Sequence, residues 1–597
     1  MPSYPGLGLS KQHHPQTWGE FFPTGHHEDC LGSISDLLQV RELAMMHIMD
    51  RLSDKVDWHK KVFDEKIVAK WREEALAYPD EDLWNLTITR SDPHVFPTPI
   101  TGILTEKSFD YCIRELQGKA RYFAATGIVP TLDATASVAK SDVLIQPALA
   151  DILRAAFDRL KKDQADSPDW HPRTDEKVLN LVHPSMYPLV YKSTRLFQEE
   201  VVGVMDAIEN MAGKGAVLRN HTNNDAESGV PSEFWSDNYQ WLPSNLSLQD
   251  NGSVKFTSYI NNLHPIKHPE IYDAIEKLVE KALPMWDQCL SLPTGPGQRQ
   301  GAGRNTSRCP LPENPSDENW ENWIPPSWKH LRANFNQYES VEGAEDDDSD
   351  EERLWRDWEA VRHPAVPEPK LFEEVDYSPP RRLAQDFKKT GLQIIVKMVS
   401  LELTPEKPSY PAGSWHVEGM MNEHICATAL YYLDSDNITT GELSFRMQTN
   451  QDLADEDEYA VGQEQYKWLE RVHGTSLAAF TGACLQSYGN VETRQGRFLA
   501  FPNVFQHRVS PFRLIDPTKP GYRRFIALWL VDPHIRIIST ANVPPQQRHW
   551  WAGSKLGTST DEEEAREHRL ELMNERTRLD ETANEAWTSL AYNFCEH

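Results

Sequence analysis

The chain has 597 residues, of which 39% are hydrophobic and 10% aromatic, and a formal net charge of −29. This length and apolar content predict a folded protein of one to three domains and exclude an intrinsically disordered chain. The large negative charge disfavours nucleic acid and anionic membrane surfaces as principal partners, because their phosphate groups repel a polyanion.

Several features of the sequence predict an intracellular protein, cytoplasmic or nuclear. No apolar run reaches the ~18–20 residues that cross a bilayer. The N-terminus lacks the basic start and apolar segment of a signal peptide. The seven cysteines are scattered, without a C-x-x-C pair, which is typical of a reducing compartment and argues against a structural zinc site.

The N-terminal part of the chain is predicted to be mainly helical. Residues 1–30, rich in His, Pro and Gly, are expected to form a loose arm. Apolar residues then recur at helical spacing from about Ile34 to Ala77, and again from Leu149 to Leu160.

A hairpin and another helix follow. Asp250-Asn251-Gly252 favours positive φ and predicts a turn within Leu246–Ile260. The next helix, with Ile271 to Ala282 on one face, is expected to end at Pro284. Polar residues just before this helix predict either a substrate pocket or hydrogen bonds within a ladder or turn; they are Tyr259, Asn261 and Asn262.

Residues 290–380 differ in composition from the rest. Gly, Pro, Arg and Asn dominate residues 294–315, and residues 339–352 are strongly acidic. This composition predicts a solvated, partly disordered insertion, and the alternative is a docking segment for a basic partner.

From Leu392 to Pro533 the pattern is β-rich and indicates a sandwich or barrel. The predicted strands are Gln393–Leu403, His416–Glu418, Ala427–Leu433, Glu442–Arg446, Gly496–Phe501, His507–Ser510 and Arg523–Val531. After Pro545 the chain is predicted to return to helix near Thr560, with Glu563 completing a capping box.

His416 and Glu418 are two residues apart in a predicted strand, so both side chains point the same way and can bind one ion. His-x-acid pairs also arise by chance in a chain with 22 histidines and 90 acidic residues. This pair is distinguished by the strands around it. The alternative is a hydrogen-bonded histidine beside a surface carboxylate.

The downstream motifs follow in a fixed order: Thr428–Asp434 (Thr-Ala-Leu-Tyr-Tyr-Leu-Asp), Gly441–Phe445, Gly496–Asn503, His507–Pro511 and Gly521–Trp529. In this order the region resembles the 2-oxoglutarate/iron(II)-dependent dioxygenase superfamily, especially its prolyl-hydroxylase-like branch. The resemblance implies a double-stranded β-helix, similar to cupins and jelly rolls, within an α+β protein whose helices flank the core.

The resemblance also implies residue roles. His416, Glu418 and His507 would bind Fe(II), a ligand set that leaves coordination positions open. Arg523, six residues before Trp529, would bind the distal carboxylate of the co-substrate 2-oxoglutarate, and Tyr432 would add a hydroxyl. Arg524 faces the opposite way on the strand and is the alternative anchor.

This sequence departs from the branch in three ways. Glu418 stands where Asp is usual, an extra loop spans Arg513–Pro520, and the stretch between Phe445 and Gly496 is long enough for a lid or a partner surface. More widely, the whole chain resembles a large, mainly fungal family described as a domain of unknown function. Its motifs here are Asp57–Phe63, Ser258–Pro265 and Val543–Gln547.

These patterns divide the chain into five regions: an N-terminal helical region (1–90), supporting helices and strands (91–289), the insertion (290–380), a β-helix catalytic core (381–545) and a C-terminal helical tail (546–597). The implied activity is hydroxylation of an unidentified small molecule or protein, with release of succinate and CO2. The alternatives are a catalytically idle binding protein with the same fold, and a cupin-type metalloenzyme independent of 2-oxoglutarate. Oligomeric state is not predicted.

Overall fold

The computed structural model describes residues 4–7, 21–26, 35–88, 100–218, 232–291, 303–304, 306–324, 362–451, 453, 457–459, 461–462, 465–478, 481–551, 562–592 and 594. The α-helices in these ranges are α1 (Val40–Ser53), α2 (Trp58–Lys61), α3 (Glu65–Leu76), α4 (Asp80–Thr87), α5 (Glu106–Thr126), α6 (Pro147–Asp163), α7 (Pro269–Cys289), α8 (Leu383–Asp386), α9 (Lys467–His473) and α10 (Glu562–Ser589). The strands are β1 (Val129–Thr131), β2 (Val138–Ser141), β3 (Val178–Val182), β4 (Leu189–Val190), β5 (Arg195–Leu196), β6 (Ala216–Val217), β7 (Tyr239–Gln240), β8 (Ser244–Leu248), β9 (Val254–Phe256), β10 (Trp323–Ile324), β11 (His363–Pro364), β12 (Leu392–Leu403), β13 (Ser409–Tyr410), β14 (Ile425–Asp436), β15 (Gly441–Gln448), β16 (Leu485–Thr493), β17 (Phe498–Pro502), β18 (Gln506–Val509), β19 (Phe512–Arg513) and β20 (Gly521–Val531).

Two antiparallel sheets form the centre of the molecule. The larger has the order β1-β2-β17-β14-β20-β12-β8-β9, with β3 also pairing with β12. The smaller has the order β16-β15-β18. All pairings between the named strands of these sheets are antiparallel, and the helices are separate from them in the chain, so the α+β class is confirmed.

The larger sheet is buried on both faces, which explains the nearly continuous apolar sequence of β12. Ile394, Val396 and Met398 pack on one face against α6 and α7. Ile395 points to the other face, where it joins side chains of β15 and β17 in a second apolar cluster that includes Phe445 and Phe501. The two sheets therefore face each other across a shared core.

Six of the seven strands predicted for the β-rich region agree with the structure, whereas β13, β16 and β19 were not predicted. The predicted strand His416–Glu418 is wrong: His416 forms a single antiparallel bridge with His507 and belongs to no named strand. The pairing ends there because Gly419 has a positive φ of 78° and turns the chain away. The predicted hairpin is confirmed as β8–β9, with Gly252 at φ 82°.

The helix predicted to end at Pro284 instead continues to Cys289. A proline inside a helix removes one hydrogen bond and crowds the preceding turn. The residues beyond it, Met285, Trp286 and Cys289, are buried in the main core. Their packing outweighs the local cost of the proline.

The helical block from Ile34 to Ala77 is three helices rather than one, and Ile34 itself lies outside the described residues. Asp57, with a left-handed φ of 53°, separates α1 from α2. Asp64 caps α3 by accepting from the backbone N–H groups of Lys66 and Ile67. The predicted helix at Leu149–Leu160 is confirmed as α6.

Part of the predicted insertion is folded against the N-terminal helices. Arg308 is completely buried and makes a two-pronged contact with Glu115, at 2.6 and 3.0 Å. It also lies 3.2 Å from a carboxylate oxygen of both Glu42 and Asp133. Lys119 pairs with Glu115 and Asp133 as well, so this buried arginine cluster neutralises its own charges. The acidic run at 339–352 lies outside the described residues.

Segments near both ends of the sequence pack against the β-rich core. Within the predicted N-terminal arm, the backbone N–H of Phe22 donates to Asp532 at 2.7 Å, so residues 21–26 are held in place rather than loose. The C-terminal helix is confirmed from Glu562, whereas the proposed cap at Thr560 lies outside the described residues. Among the helices that the structure describes, none is both long and apolar enough to cross a membrane.

Candidate metal centre

The bridge between His416 and His507 sets the position of the site. Each backbone N–H donates to the carbonyl of the other residue, at 3.2 Å from His416 and 2.9 Å from His507. His507 belongs to β18, where it pairs with Phe445 of β15. The bridge therefore adds His416 to the edge of the smaller sheet.

Three potential ligand side chains meet here: His416, Glu418 and His507. One ligand atom from each lies within 4.8 Å of the others, and Nε2 of His507 is 3.4 Å from Oε1 of Glu418. The imidazole centroids of His416 and His507 are 4.4 Å apart. Atoms this close can bind a single metal ion without a large rearrangement.

The tautomer of His416 is set by a backbone contact. Its Nδ1 lies 3.0 Å from the carbonyl oxygen of Ser414, which can only accept a hydrogen bond. Nδ1 therefore carries the proton, and Nε2 is free to bind a metal.

The electrostatics favour an ionised carboxylate between two imidazoles. Burial opposes ionisation of Glu418, but the hydrogen bond from His507 and the charges of His507, His416 and Lys397 lower its pKa to about 2. Burial and the neighbouring His416 lower the pKa of His507. A metal binds an ionised carboxylate together with unprotonated imidazole nitrogens, and two histidines with one carboxylate suit iron(II).

Asn503, for which no role was predicted from the sequence, holds Glu418 in place. Its side-chain oxygen accepts from the backbone N–H of Glu418 at 2.8 Å, and its Nδ2 donates to the Glu418 carbonyl at 2.9 Å. Nδ2 also donates to the carbonyl of Ile425, and Asn503 is fully buried. Its position directly after β17, in the sequence Phe-Pro-Asn, was the feature from which this role could have been predicted.

Arg523 is buried and has no carboxylate partner among the described residues. Only 3% of the residue is exposed, its Nη2 donates to the Thr439 carbonyl at 2.8 Å, and its guanidinium lies 4.9 Å from the ring centroid of Phe512. Nε is buried and has no hydrogen-bond partner in the described part of the chain. Burial lowers the pKa of Arg523, and Tyr432 is the neighbour that opposes this change.

Arg524 has a different environment, although it is adjacent in sequence. It forms ion pairs with Asp434 and, at 2.7 Å, with Asp158. These carboxylates raise its pKa against the effect of burial. Arg524 is therefore neutralised on the opposite face of β20, as expected for neighbouring residues of a strand.

The extra loop Arg513–Pro520 does not displace β20. Asn437 Nδ2 donates to the carbonyls of Asp516, Lys519 and Pro520, at 2.9 to 3.2 Å, and so ties the loop down. Arg523 pairs with Leu401 in the uninterrupted β12–β20 ladder, and with Ser435 of β14 just beyond a register shift between Tyr432 and Asp434.

Tyr432 lies near Arg523. It is 6% exposed, and its ring centroid is 6.1 Å from that of Phe525 on β20. Burial raises the pKa of its hydroxyl, which therefore stays protonated and able to donate.

Two segments that are distant in sequence enclose the ligands. The backbone N–H of Gly25 donates to the Asn503 carbonyl at 2.8 Å, and Nε2 of His26 lies 3.2 Å from the carbonyl of Gly419. From α10, Asn584 donates to the carbonyl of Trp415 at 2.9 Å.

Asp580 is one turn earlier on α10. Burial raises its pKa to about 6, while the nearby charges of His416 and Arg576 oppose that rise.

Tyr259, Asn261 and Asn262 do not belong to this site. The hydroxyl of Tyr259 donates to the Val543 carbonyl at 3.0 Å, and Asn261 donates to the carbonyls of Met186 and Tyr187. Asn262, at φ 67°, donates to the carbonyl of His183. These hydrogen bonds favour the turn interpretation of the three residues.

Comparison with known proteins adds a family but no activity. Residues 106–554 match a family described as "Protein of unknown function (DUF4246)", and residues 4–74 match "Domain of unknown function DUF4246, N-terminal". No curated protein matches the chain.

One solved structure with a partial match is "Selenomethionine labeled Fe(II)/(alpha)ketoglutarate-dependent dioxygenase TqaL", which is 15% identical. The match covers 24% of this chain and 43% of that chain, with a TM-score of 0.15. This chain therefore spans less than half the length of that neighbour, and the similarity carries no weight for fold or activity. The family match, in contrast, covers most of the sequence, and the chain belongs to the family of proteins of unknown function DUF4246.

Proposed function

We propose that this protein is a non-haem iron(II) oxygenase that uses 2-oxoglutarate and hydroxylates a substrate. The observation that carries the proposal is the convergence of His416, Glu418 and His507, whose ligand atoms lie within 4.8 Å of one another. His507 lies in the smaller of two facing sheets and His416 bridges to it, which supports a double-stranded β-helix as the catalytic core.

The residues present fit the metal and the co-substrate. His416, Glu418 and His507 would hold Fe(II), and Arg523 would bind the distal carboxylate of 2-oxoglutarate with Tyr432 beside it. A buried guanidinium without a carboxylate partner in the described residues is costly unless a ligand supplies the anion. When bound, the metal and co-substrate supply an oxidant for a C–H bond, with succinate and CO2 as the co-products.

The remaining contributions come from the chain itself. Asn503 fixes the backbone of Glu418, and Ser414 fixes the tautomer of His416. The apolar cluster that includes Phe445, Phe501 and Trp529 excludes water from the space between the sheets. The substrate, a small molecule or a protein side chain, would enter beside these groups.

Anaerobic titration of the apoprotein with Fe(II) and 2-oxoglutarate tests this function, because the chelate has a visible charge-transfer band. We expect the band in the wild type and its loss in His416→Ala. It should require much more 2-oxoglutarate in Arg523→Ala than in Arg524→Ala, since Arg524 is already neutralised by Asp434.

The alternatives predict other results. A protein that binds Fe(II) tightly but never forms the band would be a metalloenzyme independent of 2-oxoglutarate. A protein that binds no divalent metal would be a binding protein with an oxygenase-like fold. A stronger effect of Arg524→Ala than of Arg523→Ala would overturn the anchor assignment alone.

A further inference from the structure

Lys397 is a charged residue in an otherwise apolar part of β12. On this strand, Ile395 and Val399 face the core between the sheets, whereas Ile394, Val396 and Met398 face the helices. Strand alternation places Lys397 on the same face as Ile395 and Val399. Its partner across the sheet is Ala527, whose small side chain leaves room beside the lysine.

The strand register places Lys397 close to the level of the metal centre. Ile395 pairs with Trp529, which pairs with Thr428, which in turn pairs with Phe501. The Phe501 ring centroid is 4.8 Å from that of His507, so this row of residues lies opposite the metal ligands.

Lys397 is two residues along β12 from that row, about 7 Å at the usual strand rise. Arg523 pairs with Leu401, six residues or about 20 Å from the same row. The two cations therefore lie at different depths in the core, and Lys397 is the one closer to the metal centre.

Lys397 is a desolvated cation with Glu418 as its electrostatic neighbour. Burial lowers the pKa of the lysine, and the charge of Glu418 opposes that change. Both side chains retain some accessible surface despite their desolvation, as expected for groups that line an internal space.

The neighbouring cation, Arg576, is neutralised. Its Nη2 lies 2.5 Å from Oε1 of Glu423, and its guanidinium stacks on Trp241 at 3.6 Å. Lys397, in contrast, forms no ion pair or hydrogen bond with the residues that the structure describes, and Glu418 acts on it only through its charge. A desolvated ammonium without such a partner favours binding an anion.

We infer that Lys397 binds a carboxylate of the substrate next to the metal centre. This inference rests on the proposed function. In that function the two carboxylates of 2-oxoglutarate are accounted for, one at the metal and one at Arg523, so a carboxylate at Lys397 is a third one. The substrate class is then a carboxylic acid oxidised at a carbon near its carboxylate.

Binding of small acids to the anaerobic Fe(II)–2-oxoglutarate complex tests the inference. Acetate and benzoate are titrated as probes, with acetamide and benzamide as neutral counterparts of the same shape, and changes in the charge-transfer band report binding near the metal. In the wild type the acids should bind and the amides should not. Lys397→Met should weaken acid binding at least tenfold, and Lys397→Arg should restore part of it.

Two further measurements separate this role from others. The affinities for Mn(II) and for 2-oxoglutarate should change less than threefold in Lys397→Met, and a surface control, Lys407→Met, should change nothing. Loss of 2-oxoglutarate affinity as large as in Arg523→Met would assign Lys397 to the co-substrate and overturn the inference. Loss of Mn(II) affinity alone would make it an electrostatic partner of Glu418, which also overturns it, as would equal binding of acids and amides.

Failure of the proposed function is distinguishable from failure of this inference. If the wild type forms no band with 2-oxoglutarate, the oxygenase assignment fails. Benzoate binding can still be followed through the melting temperature of the Mn(II)-loaded protein, in the wild type and in Lys397→Met. A benzoate-induced rise in melting temperature that persists in the variant contradicts the role of Lys397 by itself.

Discussion

The protein buries arginine in two different ways. Arg308 is completely enclosed, but Glu115, Glu42 and Asp133 surround it within 3.2 Å. Arg523 is nearly as buried, yet its contacts are a carbonyl oxygen and an aromatic ring. The carboxylates around Arg308 all come from the chain itself, whereas Arg523 has no carboxylate partner among the described residues.

The two arginines are similarly buried, so the presence of carboxylate partners, rather than burial, distinguishes a structural arginine from one that is available to a ligand. Removing one member of a complete buried ion pair leaves the other members uncompensated. Removing a buried cation that has no carboxylate partner leaves no buried carboxylate without a counterion in the free protein.

Acid should remove the stabilising contribution of Glu115 to the arginine cluster. Burial opposes ionisation of Glu115, but the charges of Arg308, Arg304 and Lys119 hold its pKa well below its usual value. A carboxyl whose pKa is lower in the folded state stabilises the folded protein at any pH above its unfolded-state pKa of about 4.3. That stabilisation is lost as the pH falls towards the folded-state pKa. Urea unfolding between pH 7 and pH 3 should show a steep loss below about pH 4.3.

The same pH series on Arg308→Met provides the control. Without Arg308, Glu115 loses the cation that lowers its pKa most, so the loss of stability below about pH 4.3 should be shallower. Identical pH dependence in the two proteins would show that the cluster is not the acid-sensitive element.

Arg308→Met should itself lower the free energy of unfolding by about 3–5 kcal/mol at pH 7, because the buried carboxylates lose their counterion. Arg523→Met is the matched control, since it removes an equally buried guanidinium that has no carboxylate partner among the described residues. Its stability should be unchanged or higher. Chemical denaturation of both variants without metal measures this difference, and equal destabilisation would contradict the distinction.

Arg523→Met should instead lose affinity for 2-oxoglutarate. Truncating one partner of a buried charge pair costs about 2–5 kcal/mol, which is at least about 30-fold in affinity. The charge-transfer titration measures it, with Fe(II) affinity as the internal reference. A variant that binds 2-oxoglutarate like the wild type would place the anchor elsewhere.

Asn503→Ala should weaken metal binding by about 10- to 100-fold, the usual effect of losing a partner that orients a ligand. Glu418 would remain, but its backbone would lose two hydrogen bonds from the Asn503 side chain. Calorimetric titration with Mn(II) tests this, and Glu418→Gln gives the effect of removing the ligand charge for comparison. If Asn503→Ala binds Mn(II) normally, Asn503 serves the fold alone.

Arg524→Met should give the smallest change in ligand affinity. Arg524 pairs with the exposed Asp158 and with the buried Asp434, but Arg154 also contacts Asp434 at 3.3 Å, so this carboxylate keeps a counterion and the loss of stability should be smaller than in Arg308→Met. The affinity for 2-oxoglutarate should be unaffected. A large loss of that affinity would reverse the roles of the two neighbouring arginines.

Much of the β-rich core could be predicted from sequence because its signals are local. Alternation and turn residues located β12, β14, β15, β17, β18 and β20 to within a few residues. The close approach of His416, Glu418 and His507 also agrees with the motif order, although their role as iron ligands stays a proposal. The predicted strand at His416–Glu418 failed because one bridge, followed by Gly419, replaces a full ladder.

What could not be predicted depends on contacts between distant segments. Nothing in the sequence around Arg308 indicates that it meets Glu42 and Glu115, which lie 266 and 193 residues away. The continuation of α7 past Pro284 is likewise decided by tertiary packing. Lys397 could be noticed in the sequence because it is a lone charge within the apolar sequence Ile394–Val399. Its position relative to the candidate metal ligands, however, is set only by the fold.

The enclosure of the metal centre by segments from opposite parts of the sequence has a consequence for biosynthesis. Gly25 and His26 contact the strand end at Asn503 and the turn at Gly419, and Asn584 of α10 contacts Trp415. During translation, Gly25 and His26 leave the ribosome more than 550 residues before Asn584. The segments that surround the ligands therefore cannot all pack together until α10 has emerged. If the site binds iron as proposed, the ion would be captured late, after α10 has been translated.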